Sequence, residues 1–208
     1  MDDVRVRVLR RLFRQTETLC LAANLLAVRM DAALWGIEMS GGCRFYGRPI
    51  FRRAPRSSIV IGKHCRFRSR PTSNLIGINR PCIVATLREN ARIRIGEGCG
   101  FSGTTIGSAV SIIIGNNVIC GANTTITDTD WHHVDPSRRR DPVDVPASPV
   151  VFEDNVWLGL NAIVLKGVTI GRNSVIAAGS VVTRSIPANV IAGGVPARVL
   201  RPLPDRHP

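Results

Sequence analysis

The sequence predicts an all-β chain: a parallel β-helix built from six-residue units, led by a short helical segment and interrupted by one protruding loop. Two observations carry the fold. Phe152, Leu158, Val164, Ile170, Ile176 and Val182 recur every six residues without a miss. Four residues after each stands a second position, filled by Val156, Ala162, Val168, Ser174, Ser180 and Ile186. A helix would repeat near 3.6 residues and an amphipathic strand at 2, so neither accounts for the pattern. Six residues with a turn in each unit is the signature of hexapeptide coils. Nineteen glycines and thirteen prolines agree with a chain that turns often.

In this reading each unit supplies one short strand and one turn, and three units close a triangular coil. The aliphatic residue points into the prism and stacks on its equivalent in the next coil. One coil cannot bury its own face, but a stack buries a continuous column. The second residue of the unit is expected to be small because the backbone turns there, as at Gly62, Gly96, Gly115, Gly159 and Gly171. Weaker repeats run upstream: IGKHCR from Ile61, IGEGCG from Ile95, IGNNVI from Ile114 and CGANTT from Cys120. The spacing is irregular between Phe67 and Ile93.

The elements follow in order. Residues 1–38 read as a basic amphipathic helical segment, with Val4, Val8, Leu12 and Phe13 on one face and Arg7, Arg10, Arg11 and Arg14 on the others. Such a helix caps the open end of the prism, packs on a neighbouring subunit, or makes a peripheral contact with an anionic membrane. Residues 39–190 read as the β-helix, with a loop excursion at 127–149, and residues 191–208 as a tail. The apolar run LCLAANLLAV at residues 19–28 is shorter than the ~18 residues a membrane span needs.

Composition narrows the function. The net charge is +13, supplied almost wholly by arginine, since Lys63 and Lys166 are the only lysines. That balance suits polyanionic partners, yet no nucleic-acid-binding motif accompanies it, so nucleic acid is not expected. Aromatics make up only 5%, which predicts a core of small aliphatic side chains. Six cysteines lie far apart with no CxxC pair, so no metal is expected. Cys65, Cys99 and Cys120 occupy repeat positions and read as small core residues of a cytoplasmic protein, free or peripheral at the inner membrane face.

The stretch ITDTDWHHVDPSRRR at 126–140 suspends the six-residue register. It holds two of the four histidines, three aspartates and three consecutive arginines. A loop carried on a rigid scaffold is where reactive groups concentrate.

The repeats, with NVWLG at 155–159, AGSVVT at 178–183 and GGVPARVLR at 193–201, closely resemble the hexapeptide-repeat acyltransferases. The branch they resemble is that of the maltose and galactoside O-acetyltransferases and their polysaccharide-modifying relatives. The resemblance covers residues 40–203. It implies a left-handed β-helix, a homotrimer with active sites in the clefts between subunits, and acetyl-CoA as co-substrate for direct transfer to a hydroxyl or amine. Left-handed crossovers run against the general rule for parallel strands, so handedness rests on the resemblance alone.

The resemblance also implies roles. The pattern Asp-x-Asp-aromatic-His falls on Asp128, Asp130, Trp131 and His132, which makes His132 the general base, with His133 as the competing ring. Asp130 or Asp128 would orient the imidazole; either could equally be a turn-making residue. The galactoside branch uses an asparagine one to two coils before the histidine. Here the region reads CGFSGTT at 99–105, and Ser102 takes the place of the missing asparagine as oxyanion donor. Leu160, Ala178, Thr183 and Arg184 match positions that contact the pantetheine arm and the adenine end, the first two through backbone groups. Arg198 and Arg201 match basic positions near the phosphates, where guanidinium suits the geometry. Trp157 either walls the pantetheine channel or lies flat at a subunit interface. Arg138, Arg139 and Arg140 recognise an acidic or phosphorylated sugar, or form a solvated loop face. His64 and His207 receive no role.

The implied function is an acetyl-CoA-dependent O-acetyltransferase acting on a sugar or a polysaccharide or glycolipid precursor. The alternative acceptor is an amino sugar or a xenobiotic. Outside that class stand a non-catalytic β-helix and a γ-type carbonic anhydrase, though the adjacent His132 and His133 with remote His64 have poor ligand spacing for zinc.

Overall fold

The computed structural model describes residues 2–204 and, within the N-terminal helix, the side chains of residues 5–8 and 21–34. His207 and the side chains of Val4, Arg10, Arg11, Leu12, Phe13, Arg14 and Cys20 lie outside the described residues.

Helix α1 (Asp2–Leu34) leads into six coils of a left-handed parallel β-helix. Coil 1 comprises β1 (Glu38–Met39), β2 (Arg44–Tyr46) and β3 (Ile50–Arg52); coil 2 comprises β4 (Ser58–Ile61), β5 (Arg66–Arg68) and β6 (Ile83–Thr86). Coil 3 comprises β7 (Arg92–Ile95), β8 (Gly100–Ser102) and β9 (Thr105–Ser108); coil 4 comprises β10 (Ser111–Ile114), β11 (Ile119–Ala122) and β12 (Thr125–Thr127). After the loop come coil 5, with β13 (Val150–Phe152), β14 (Trp157–Leu158) and β15 (Ile163–Val164), and coil 6, with β16 (Thr169–Ile170), β17 (Val175–Ile176) and β18 (Val181–Val182). Every third strand pairs in parallel, which gives three faces, one running β1 to β16, one β2 to β17 and one β3 to β18.

The in-register pairs stack identical positions. Ile61, Ile95, Ile114, Phe152 and Ile170 form one buried column, and Phe51, Val84, Ile106, Ile126, Val164 and Val182 another. The third column corrects the expectation of a purely aliphatic core. Phe45, Phe67 and Phe101 stack ring on ring, at centroid distances of 5.3 and 5.0 Å, before the column continues as Cys120, Leu158 and Ile176. Five of the chain's six phenylalanines are buried in the prism. Cys43, Cys65 and Cys99 fill a corner column that passes to Val118 and Val156, and all five described cysteines are free and buried. Burial pushes the Cys82 and Cys120 thiols up, so neither is a nucleophile.

The repeat glycines are small for a reason other than the expected one. None of Gly62, Gly96, Gly115, Gly159 and Gly171 has a positive φ. A Cβ on Gly62 would lie 2.6 Å from the backbone of Gly96, and one on Gly159 would lie 2.5 Å from the Ala178 nitrogen. The next coil passes too close for a side chain. The left-handed turn residues stand at the neighbouring position, as Asn117, Asn155, Asn173 and Asn189, and His64 occupies that same column in coil 2. A side-chain amide ladder links three of them, Asn155 to Asn173 at 3.1 Å and Asn173 to Asn189 at 2.7 Å.

Both ends of the prism are closed. At the N-terminal end Val28, Ala32 and Ile37 join the core cluster, and Arg48 binds Asp31 of α1 at 2.8 Å. At the other end, residues set apart by the sequence as a tail form an antiparallel hairpin, β19 (Val190–Gly194) and β20 (Ala197–Pro202), with β19 extending the sheet from β17. Ala192 and Ala197 complete the core there.

Candidate active site

The loop leaves the prism after β12 and returns at β13, and its neck is built as a short antiparallel clasp. Thr129 and Ala147 form a bridge, Ser148 N–H donates to Asp128 C=O at 2.8 Å, and Asp130 N–H donates to Pro146 C=O at 3.1 Å. Asp128 is fully buried at the base. Its carboxylate accepts from the Ser108 hydroxyl (2.7 Å) and from the N–H groups of Ala109 (2.6 Å), Val110 (2.9 Å) and Ser111 (2.7 Å). A single anion thus gathers the turn between β9 and β10, a use that isolated backbone donors favour strongly. Asp130 pairs with Lys166 Nζ at 2.6 Å, which ties the neck to the segment after β15. Arg88 donates to Val145 C=O at 2.8 Å and holds the returning limb of the loop to the turn between β6 and β7.

Trp131 sits in the left-handed region at φ 66°, unusual for a bulky residue and a local strain held by its surroundings. Its indole N–H donates to the Thr127 hydroxyl at 3.0 Å, and its ring lies over Gly107, where an added Cβ would come within 3.1 Å. Gly107 is therefore the flat seat of the indole. The two histidines that follow differ in setting. His133 is buried, and its Nε2 lies 2.6 Å from Val143 C=O, across the loop. His132 is exposed, and its Nδ1 lies 3.1 Å from Arg139 C=O. A carbonyl only accepts, so each contact assigns the proton: His132 carries it on Nδ1 and keeps a lone pair on Nε2. His133 carries it on Nε2 and staples the loop.

The arrangement bears on two readings left open by the sequence. Neither aspartate hydrogen-bonds a histidine among the described residues; Asp128 and Asp130 build the neck, and the His132 ring is oriented by a backbone carbonyl. The arginine run is largely engaged within the loop: Arg138 binds Asp141 at 3.2 Å and Arg139 donates to Val134 C=O at 3.1 Å, while Arg140 is exposed. The Asp135 carboxyl, which accepts from the Ser137 hydroxyl and N–H, is held below its usual range. The Val143 N–H and Arg138 do the same for Asp141.

Beside the neck a cavity of about 430 Å³ is lined by Leu87, Arg88, Ala109, Thr129, Trp131 and residues 142–145. Ser102 lies elsewhere, at the corner between β8 and β9. It is nearly buried, and its hydroxyl accepts from Asn74 Nδ2 at 3.1 Å. Asn74 comes from the insertion at 69–82 between β5 and β6, so an asparagine does reach this corner, from outside the repeat. No hydrogen bond joins Ser102 to His132 among the described residues.

The positions assigned to coenzyme A fall on the last coils. Leu160 and Ala178 stack at one corner, where Leu160 C=O accepts from Gly179 N–H at 2.8 Å. Neither the Leu160 nor the Ala178 N–H has an acceptor among the described residues. Thr183, Arg184, Arg198 and Arg201 are exposed, the last two on β20. Trp157 faces outward at 51% exposure, in register with exposed Ile119 and with Val175, and so forms an apolar row on the outside of the prism. Sequence reasoning missed Lys166, Arg88, Gly107 and Asn74. Only Lys166 left a signal, as one of two lysines in an arginine-rich chain.

Comparison with known proteins bears on the repeats and the fold. Residues 149–184 match the family model described as a hexapeptide repeat of succinyl-transferase. The galactoside O-acetyltransferase of Escherichia coli is 43% identical over 102 residues, 49% of this chain and 49% of that one. A galactoside acetyltransferase solved in complex with coenzyme A is 39% identical, covering 55% of this chain and 56% of that chain with a TM-score of 0.50. A hexapeptide-repeat acetyltransferase from Vibrio cholerae is 25% identical over 88% of this chain and 82% of its own, with a TM-score of 0.55. The chain spans about half the length of the curated relatives it matches. In its six-residue repeats the chain is similar to the hexapeptide-repeat acetyltransferases, galactoside O-acetyltransferases among them.

Proposed function

We propose that the protein is an acetyl-CoA-dependent O-acetyltransferase that acetylates a hydroxyl of a sugar or of a polysaccharide or glycolipid precursor. One observation carries the assignment of the base: His132 is exposed at the loop surface with Nδ1 against the Arg139 carbonyl, so that its Nε2 lone pair is free. In the reaction the acceptor O–H gives its proton to Nε2 as its oxygen attacks the thioester carbonyl. The tetrahedral intermediate collapses with cleavage of the C–S bond, and the imidazolium returns the proton to the departing thiolate. His133 does not compete, because its ring is buried and engaged with Val143. The Ser102 hydroxyl, accepting from Asn74, keeps its own hydrogen to donate and fits an oxyanion contact contributed across a subunit boundary.

The donor would lie along coils 5 and 6. The open N–H groups of Leu160 and Ala178 suit the amide carbonyls of the pantetheine arm, with Thr183 beside them. Arg184, Arg198 and Arg201 suit the phosphates. The outward row of Ile119, Trp157 and Val175 suits a homotrimer, in which Trp157 is covered by a neighbour. The test is calorimetric titration with acetyl-CoA and coenzyme A, followed by product analysis with galactosides, maltose and amino sugars. His132→Ala should bind the donor as wild type does and lose transfer by about a hundredfold or more. Absence of donor binding at millimolar concentration would sink the proposal.

A further inference from the structure

The insertion between β5 and β6 carries Asn74 to the corner where Ser102 stands, and it is built as a rigid arm. Its first turn, Pro71–Ser73, ends with Asn74 in an extended conformation. Ser73 is buried, its hydroxyl donates to Arg70 C=O at 2.6 Å, and Arg68 donates to Ser73 C=O. Gly77 N–H closes on Asn74 C=O at 3.0 Å. The far limb is tied to coil 4. Asn79 N–H donates to the Asn123 side chain at 3.0 Å, and Arg80 donates to Asn123 C=O at 2.6 Å and to the Thr125 hydroxyl at 3.0 Å. Asn74 is therefore held from both sides, by the coils before and after the one that carries Ser102.

The contact has a direction. Ile76 N–H, which only donates, lies 3.3 Å from the Asn74 side chain, so the atom facing it is Oδ1 and the NH2 faces Ser102. An amide NH2 has no lone pair to offer, so the Ser102 hydroxyl accepts at 3.1 Å and keeps its own hydrogen. That hydrogen has no acceptor among the described residues, and Ser102 keeps 8% of its surface open. A free hydroxyl rotates; a donor on one lone pair narrows the rotation and polarises the O–H bond. We propose that Asn74 is a positioning residue for the transfer: by donating to the Ser102 hydroxyl, it holds that hydroxyl as a donor to the tetrahedral oxyanion. This role depends on Ser102 being the oxyanion contact of the transferase reading above.

The test follows release of the coenzyme A thiol from acetyl-CoA at neutral pH, with methyl galactoside or maltose as acceptor and with water alone. Asn74→Ala should lower kcat about two- to tenfold, the loss expected of one neutral hydrogen bond. Asn74→Asp should lower it about a hundredfold, as Ser102→Ala does. A carboxylate in that place only accepts, so it takes the Ser102 hydrogen that the oxyanion needs, yet it keeps the shape of Asn74 and the contact with Ile76 N–H. KM for acetyl-CoA should not move, and in the Ser102→Ala background neither Asn74 variant should lower kcat further. A role confined to holding the insertion predicts the opposite order, because Asn74→Ala loses the Ile76 contact and Asn74→Asp keeps it. Asn74→Asp as active as Asn74→Ala or more so, or equal losses with and without the Ser102 hydroxyl, would overturn the proposal, while turnover by the wild type left the transferase reading standing. A wild-type kcat in Ser102→Ala would overturn it as well, together with the oxyanion role of Ser102. No thiol release by the wild type with any of these acceptors would sink the transferase reading itself, and this role with it.

Discussion

Replacing Asp128 tests whether this carboxylate builds the scaffold or takes part in the chemistry. The carboxylate accepts four hydrogen bonds of 2.6–2.9 Å, three from consecutive backbone N–H groups. In Asp128→Ala, the Ala109 N–H is left buried without a partner, at about 1–3 kcal/mol. Val110 and Ser111 are partly exposed and can reach water, so each forfeits only about 0.5–1 kcal/mol of charge assistance. The Ser108 hydroxyl can fall back on Arg92 C=O, already 3.3 Å away. The total is about 2–5 kcal/mol, or a fall in melting temperature of roughly 4–20 °C for a chain of this size. Asp128→Asn should lose about half of that, because one oxygen is kept while its NH2 faces an N–H donor. The assay is thermal unfolding at fixed protein concentration, since subunit association would also move the midpoint. An Asn variant that melts within about 1 °C of wild type but has lost transfer would refute the reasoning and return Asp128 to the catalytic machinery.

The loop makes two further predictions. Lys166→Met breaks the partly exposed pair with Asp130, which should cost only about 1 kcal/mol of stability; transfer should fall more than the melting point suggests, with KM for acetyl-CoA unchanged, and equal losses in both would mean that the neck does not position His132. Asp135 and Asp141 are ionised when they accept their loop hydrogen bonds, so their contribution is full above the ordinary carboxylate pKa and is lost as pH falls through the lowered values. The amide resonances of Ser137 and Val143, which donate to them at 2.9 and 2.8 Å, should therefore titrate with midpoints below the ordinary aspartate value, and midpoints at or above it would contradict the loop geometry.

What the sequence could reveal was what repeats. The period of six reports the stacked columns directly, because each coil presents the same position to the same neighbour, and a miss would leave a hole in the column. The period does not say why a position is small. Gly159 and Asn155 both stand at corners, yet the first is crowded by the Ala178 backbone and the second is turned left-handed. Only the distance between coils separates these causes. Nor does the period reach contacts made by the interruptions. Asn74 meets Ser102 across 28 residues, and Lys166 meets Asp130 across 36, because the insertion and the loop both fold back on coils that precede or follow them. The neighbouring histidines make the same point in the smallest space. Sequence spacing treats His132 and His133 almost alike, but the chain bends at Trp131 and His132 and gives the two rings different settings. One ring therefore turns inward to Val143 and staples the loop, and the other is left outside with a lone pair to use.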